Sequence, residues 1–491
     1  MANNVQEAIS LKDLKNLYLF RIFGKKFVFD PNTLVSLQVD DELWSVLTYS
    51  KRISNAMSNG DLAGRLNTKL SKSKIKSILK ELQQLKDEKQ LFVDLPPSPV
   101  MGCNWQIGYA VLQISHACNL NCRYCFAGGG AYGGKPVLMS AETARKAGDF
   151  LIDQFGSNDF SIGFFGGEPL MNFEVIREVV RHTRQKASER GKMSSFHLTT
   201  NGVLLTKDVA KFLIENNFSL IVSIDGPREV HDQMRIFDNG KGSFDIVLKN
   251  LQNIKGTSLI KSTILRSTYS NVNPMLRKRV LFLSKLAQEG FASNISVEPA
   301  CLSHQACGTT NPEMMLTADS LKMLKPQYSD MAKVFVRKVK EGKPLPFFHF
   351  TLMLKRLVER KRQERECRAG IGYVVVNPFG ELYACHREGE SKIGDLQNGY
   401  DEFLRRGWLS NSLYERAICC TCWARFICGG GCRINAIEIN NDVSEPWDVE
   451  CRLRQHWIRL CIWILSELTE EEIKSALNSQ MPHDFTNRQS N

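Results

Sequence analysis

The chain has no apolar run of about eighteen residues or more, which argues against a membrane-spanning helix. Its first ten residues, Met1 to Ser10, lack a basic patch followed by an apolar stretch, so export is not expected and a cytoplasmic location is. Tandem repeats and low-complexity tracts are also missing, which excludes solenoid and linker-like architectures. What remains is a soluble, globular composition, 43% hydrophobic and 24% charged. At 491 residues it exceeds one ordinary core, so two or three domains are expected. The net charge of +12 points to an acidic partner, either nucleic acid or a negatively charged peptide.

Cysteine is abundant instead, with fifteen residues. In a long chain without an export signal they read as metal-bound thiolates rather than disulfides. One trio lies early, a pair (Cys301, Cys307) near the middle, and most of the rest between Cys367 and Cys461.

Three regions follow from pattern. In residues 1–95, Leu17–Phe23 and Lys26–Phe29 flank Gly24-Lys25 as a hairpin, with Gly24 supplying a positive backbone angle. Thr33–Val39 is extended, Asp40 or Asp41 caps a helix, and Ile75, Ile78, Leu79, Leu82 and Leu85 space a second helix from about Ser73. A strand over Gln90–Asp94 precedes a linker at Pro96–Pro99, and the whole reads as a winged-helix-like module.

Residues 96–300 alternate strand and helix. Strands are expected at Tyr109–Ser115, Ser161–Phe165, Ser195–Thr199, Ser219–Ile224, Ile260–Leu265 and Asn294–Glu298. Amphipathic helices fall between them, from Ser140 and over Phe173–Arg190, Lys207–Asn216, Phe244–Ile254 and Pro274–Gln288. This is an α/β pattern, best fitted by a partial (β/α)6 TIM-like barrel with its chemistry at the C-terminal strand ends. A helical bridge (301–366, with helices at Leu321–Lys340 and Phe347–Arg365) leads to a cysteine-rich region (367–465) and a polar tail (466–491), disordered beyond about residue 480.

Cys118, Cys122 and Cys125 follow the first barrel strand at CxxxCxxC spacing. Three thiolates on one loop can hold three irons of a cubane and leave the fourth open to chelate S-adenosylmethionine. A zinc site is the alternative, but it wants four donors and only His116 is near. With Gly166-Gly167-Glu168-Pro169 after the second strand, this region resembles the radical S-adenosylmethionine superfamily. The resemblance implies that Gly166, Gly167, Glu168 and Pro169 hold the methionine amino group and that Tyr124 packs near the adenine. Asn201 and Ser223 would contact ribose and methionine, and Arg235 would pair with the methionine carboxylate. Taken alone, each of these polar residues also reads as a strand-end cap or surface charge.

Cys367, Cys385, Cys419-x2-Cys422-x5-Cys428-x3-Cys432 and Cys451 resemble the SPASM domain of peptide-modifying radical enzymes. The resemblance implies two auxiliary 4Fe-4S clusters, three clusters in all. Cys419, Cys422, Cys428 and Cys451 would hold the outer one, and Cys367, Cys385 and Cys432 the inner one. Sulfatase maturases carry a further cysteine before the first, whereas Arg360 to Glu366 contains none. The inner cluster would then have an open iron or a distant ligand, with Cys301 and Cys307 as candidates. Cys420 is not expected to be a ligand, and Cys103 and Cys461 read as core or surface thiols.

The N-terminal module resembles the leader-recognition element of ribosomal peptide maturases, which add a leader strand to a sheet edge. Lys72, Lys74, Lys76 and Lys80 would suit an acidic leader, or simply form a solvated helix face. The layout implies a maturase forming thioethers (the ranthipeptide and sactipeptide types) on a cysteine-rich precursor, with a flavodoxin or ferredoxin as electron donor. Carbon–carbon crosslinking and sulfatase-maturase-like dehydrogenation are the enzyme alternatives, and an iron–sulfur DNA-binding redox sensor the non-enzyme one. Asp225 and His116 are candidate proton acceptors, against readings as a turn cap and a buried hydrogen bond.

Overall fold

A computed structural model describes residues 9–53, 63, 66, 68–93, 107–155, 159–300 and 312–478. The expected linker at Pro96–Pro99, the polar end beyond residue 480, and Cys103, Cys301 and Cys307 lie outside these.

The expected hairpin forms at the start of the N-terminal unit. Strands β1 (Tyr18–Ile22), β2 (Lys25–Phe29) and β3 (Ser36–Gln38) make an antiparallel sheet in that order. The β1–β2 turn places both Phe23 and Gly24 at positive φ, the geometry of a tight hairpin. Ser10, Asp40 and Ser71 accept the first free N–H groups of helices Leu11–Asn16, Asp41–Ser50 and Lys72–Asp87. Ile75, Ile78 and Leu82 bury against Val28, Val46 and Leu47, while Lys72, Lys74, Lys76 and Lys80 are exposed, and Lys74 pairs with Glu42 at 2.8 Å.

The expected strand at Gln90–Asp94 is not formed over its described residues. Lys89 and Phe92 take positive φ, and Phe92 N–H donates to the Asp30 carboxylate at 2.7 Å, so the chain turns instead of pairing.

Strand alternation decides how this unit sits. Leu17 and Val28 face its own core, while Phe20, Phe27 and Phe29 face the main core. Tyr18 stacks on Trp423 with centroids 3.9 Å apart and rings 1° from parallel, Phe29 meets the same indole edge-on at 5.8 Å, and Lys25 pairs with Glu467 at 2.7 Å. The unit is therefore docked on the cysteine-rich region, not tethered as a separate head.

In the centre, β4 (Tyr109–His116) pairs antiparallel with the short β5 (Val137–Leu138) and parallel with β6 (Asp159–Gly166). β7 (Met193–Thr200), β8 (Ser219–Ser223), β9 (Thr263–Tyr269) and β10 (Asn294–Pro299) extend the parallel order β10-β9-β8-β7-β6-β4. β9 starts later than its pattern implied because Ser258–Ser262 winds into a 3-10 turn. Each crossover carries a helix, from Ala141–Gln154, capped by Ser140, to Leu276–Gln288.

The sheet continues past β4. β11 (Tyr373–Val376) pairs with it in parallel, and β12 (Glu381–Tyr383), β13 (Lys392–Asp395) and β14 (Gly399–Tyr400) follow antiparallel. The cysteine-rich region thus grows from the edge of the parallel sheet. The helix expected to reach Arg365 stops at Val358 (Phe348–Val358), and Arg360 takes positive φ, which releases Gln363 to Cys367 into the interior.

Replacing Trp423 by Ala should lower stability by about 3 kcal/mol, as for other packed aromatics. A double-mutant cycle with Tyr18→Ala, read by urea denaturation, should show a coupling of about 1 kcal/mol. Additive effects would mean that the stack does not hold the unit in place.

Candidate functional site

The early cysteines sit where β4 ends. The turn after β6 clamps the start of their loop: Gly167 N–H donates to Ser115 O at 2.7 Å and Glu168 N–H to Ala117 O at 2.8 Å. The approach leaves room for glycine alone. A Cβ on Gly167 would lie 2.3 Å from Ala117 O, and one on Gly130 would lie 2.7 Å from Gly167 Cα and 2.9 Å from Cys118 Cβ. Three backbone segments therefore form a cradle at Cys118. On the far side, Asn121 and Arg123 donate their N–H groups to the carbonyls of Ile236 and Met234.

The thiols are held inside. Leu120 N–H and the Asn201 amide reach Cys118 Sγ at 3.4 and 3.7 Å, and the Arg235 guanidinium reaches Cys122 Sγ at 4.0 Å. Burial and the neighbouring acid and thiol push Cys118 up to about 12, and burial raises Cys122 as well. Metal loading must therefore expel protons from neutral thiols.

Behind them lies a polar layer. Glu168 is fully buried and accepts from Leu170 N–H (3.1 Å), Thr200 Oγ1 (2.7 Å) and Asn201 N–H (2.7 Å), which ties the end of β6 to the end of β7. Burial raises its carboxyl to about 7 despite those donors. Asp225, after β8, accepts from Tyr124 Oη at 2.5 Å, Arg235 Nε at 3.0 Å and Thr268 N–H at 3.0 Å, with Arg279 at 3.8 Å. Burial opposes its charge, yet the two guanidiniums hold it below the usual carboxylate range. Arg235 also lies 5.4 Å over the Tyr124 ring. Ser223 ends β8, nearly buried.

Asp225 is thus an ion-paired anchor for Tyr124 and Arg235, with both carboxylate oxygens engaged. His116 takes the buried hydrogen-bond reading: it lies 3.2 Å from Gln113 Oε1 and 3.1 Å from Glu388, and stacks on Tyr132.

The later cysteines gather in two groups. Cys432 opposes ionisation of Cys367 and Cys385, Cys367 that of Cys385, and burial pushes Cys367 to about 11 and Cys385 to about 12. Arg387 donates to Cys432 Sγ at 3.8 Å. Cys419, Cys422, Cys428 and Cys451 form the second group, with Cys428 pushed by burial to about 12. Arg454 joins the two, pairing with Glu366 at 2.7 Å and Glu450 at 2.8 Å. Cys420 turns to Ala417 O, and Cys461 is buried in the helix Asp448–Glu467.

Gly429, Gly430 and Gly431, between Cys428 and Cys432, all have positive φ, and a Cβ on Gly429 would lie 2.5 Å from both Arg365 C and Glu366 N. Sequence reasoning passed over this run and over Gly128-Gly129-Gly130. Consecutive glycines between or just after ligand-spaced cysteines were the available signal.

Among the described residues, no three His, Cys, Asp or Glu side chains converge tightly enough to hold one metal ion.

A cavity of about 390 Å³ lies between these parts. Tyr109, Phe165, His197, Thr199, Ile221 and Arg266 line it from the parallel sheet, and Arg356, Gln363, Arg365, Glu366, Cys367, Arg368, Tyr373 and His386 from the other side. Cys367 is exposed into this space although deep in the protein.

Two variants test this geometry. Gly429→Ala should cost about 2 kcal/mol and lower the iron content of reconstituted protein. Glu168 binds its proton more tightly folded (about 7) than unfolded (about 4.3). The metal-free chain should therefore lose stability as pH rises between those values, and Glu168→Gln should flatten that slope in urea titrations.

Residues 112–268 match the model of the Radical SAM superfamily. A cysteine-type anaerobic sulfatase-maturating enzyme of Clostridium novyi is 30% identical over 182 residues, 36% of this chain and 47% of that one, so the match spans less than half of that enzyme. Mycofactocin maturase MftC of Mycolicibacterium smegmatis is 24% identical over 355 residues, 69% of this chain and 81% of that one. Among solved structures, native anSMEcpe with bound AdoMet shares the fold at a TM-score of 0.61 and 19% identity, over 73% of this chain and 98% of that one. The stretch that matches the Radical SAM superfamily carries the Cys118–Cys125 loop and strands β4 to β9 of the parallel sheet.

Proposed function

We propose that the chain is a radical S-adenosylmethionine peptide maturase that forms a thioether from a cysteine sulfur to a carbon of another residue in a ribosomally made precursor. The observation that carries this reading is a single cavity walled on one side by the sheet that bears Cys118, Cys122 and Cys125, and on the other by Cys367. A substrate held there lies between a radical source and an auxiliary cluster.

Cys118, Cys122 and Cys125 would hold one 4Fe-4S cluster, and the glycine cradle lets backbone approach where a side chain would intrude. When bound, that cluster and S-adenosylmethionine supply one-electron cleavage and a carbon radical able to take a hydrogen atom. Asn201, next to Cys118, and Ser223 stand at strand ends where they can meet the cofactor, with Gly166, Gly167 and Pro169 closing that side. Glu168 serves by fixing Asn201 and the turn, since its oxygens are engaged within the protein. Asp225 orients Tyr124 and Arg235, and leaves a guanidinium edge beside Cys122 for a carboxylate.

Cys419, Cys422, Cys428 and Cys451 supply four ligands for an outer cluster. Cys367, Cys385 and Cys432 supply three for an inner one, which leaves a corner that suits a substrate thiolate and favours the thioether over a carbon–carbon crosslink. This reading takes the central sheet as a partial (β/α)6 barrel and residues 367–465 as a SPASM domain. The N-terminal unit, a winged-helix-like leader reader, offers the outer strand β3, whose far edge is open to strand addition among the described residues. A flavodoxin or ferredoxin would deliver the electron. Among the described residues, no helix is long and apolar enough to cross a membrane.

Anaerobically reconstituted protein should bind about twelve irons per chain with matching sulfide. It should form 5′-deoxyadenosine, and a Cys118/Cys122/Cys125→Ala variant should not. With a cysteine-rich precursor, the product should be lighter by two hydrogens and resist thiol alkylation at one cysteine. A product equally light but fully alkylatable would replace the thioether by a carbon–carbon bond. Zinc in place of iron, or no nucleoside from loaded protein, would overturn the enzyme reading.

A further inference from the structure

The turn after β12, Cys385 to Glu388, is gripped by the end of β4. Gln113 Nε2 donates to His386 O at 2.7 Å, and His116, two residues before Cys118, meets the Glu388 carboxylate at 3.1 Å. The backbone is strained to make this fit. Glu388 takes φ +56° and ψ −122°, a region that favours glycine. Its N–H donates to Cys385 O at 3.0 Å, and its carbonyl accepts from Ser391 Oγ at 2.7 Å. Such strain persists only where the surroundings over-determine it, and the residue it sets in place is Arg387.

Arg387 is buried, with 5% of its surface exposed. Its Nη1 donates to Cys432 Sγ at 3.8 Å and to Asn435 Oδ1 at 2.5 Å. Asn435 is fixed in turn by donating to Glu450 at 2.9 Å. The guanidinium also lies 6.0 Å over the ring of Phe126, the residue after Cys125. Burial raises the Cys385 and Cys432 thiols, and Arg387 opposes it at both. One cation therefore stands at two inner thiols and beside the first cysteine loop.

A guanidinium that donates to a thiolate sulfur in a dry interior favours the more negative state of whatever that thiolate binds. For an iron–sulfur cluster this is the reduced state. We propose that Arg387 raises the reduction potential of the inner cluster, as a positioning residue that acts through Cys385 and Cys432 and not on the substrate. This rests on the reading of Cys367, Cys385 and Cys432 as that cluster's ligands.

The test uses the full chain, reconstituted anaerobically with iron and sulfide, reduced stepwise with dithionite and followed by electron paramagnetic resonance. The inner signal is the one lost, with about four irons, in a Cys385/Cys432→Ala variant. In Arg387→Met and Arg387→Gln that signal should appear at a lower potential. The expected change in the reduction equilibrium is about tenfold or more, or about 59 mV for one electron. Arg387→Lys should recover part of the shift, and the other signals should move less. An inner signal whose potential is unchanged or higher in both neutral variants would overturn the proposal and leave the cluster reading intact. Loss of the inner signal in both would do the same, since Arg387 would then be a structural support only. Full iron and every signal in the Cys385/Cys432→Ala variant would instead overturn the reading of those cysteines, and the proposal with it.

Discussion

Both cysteine sites depend on backbone meeting backbone at distances only glycine allows. At the first, Gly130 and Gly167 press on each other and on Cys118 and Ala117. At the second, Gly429 presses on the chain at Arg365 and Glu366, immediately before Cys367. A thiolate loop is floppy by nature, and side-chain packing alone would leave its ligands free to scatter. Close backbone contact fixes the loop first, and the thiols inherit the position. The burial that results keeps the thiols protonated until a metal displaces the protons.

A second layer sets the polar residues. Asp225 gathers Tyr124, Arg235 and Arg279 around one buried charge, and Glu168 gathers Thr200 and Asn201 around another. The two carboxyls differ in kind. Asp225 is matched by guanidiniums and stays ionised, whereas Glu168 has only neutral donors and is raised toward neutrality. These groups tie the strand ends together, which suits the proposed radical chemistry, where abstraction must fall on one position.

Much of the fold was legible because it is local. Strand and helix periodicity located the central strands, although β9 was displaced by the 3-10 turn at Ser258–Ser262. The Asp40 cap and the helix start at Ser140 followed from residue type, whereas the helix expected from about Ser73 begins at Lys72, capped by Ser71. What escaped was non-local. Nothing in the spacing of Tyr373–Val376 says that it pairs with Tyr109–Leu112 far earlier in the chain, and so joins the cysteine-rich region to the parallel sheet. The hairpin around Gly24 was legible, but not that Trp423 would cover one face of its sheet. The cysteines were readable by spacing. Asp225 was read as a turn cap or a proton acceptor from its place at a strand end, because Arg235 and Arg279, which pair with it, lie on later segments.

The central claim is that the Cys118–Cys125 loop holds a cluster with an iron left open to S-adenosylmethionine. Electron paramagnetic resonance of the reduced, fully loaded chain tests it most directly. Addition of S-adenosylmethionine should change the line shape of one cluster signal, and that responsive signal should be missing when Cys118, Cys122 and Cys125 are replaced by Ala. A spectrum that ignores S-adenosylmethionine, or a responsive signal that persists without those three thiols, would contradict the account.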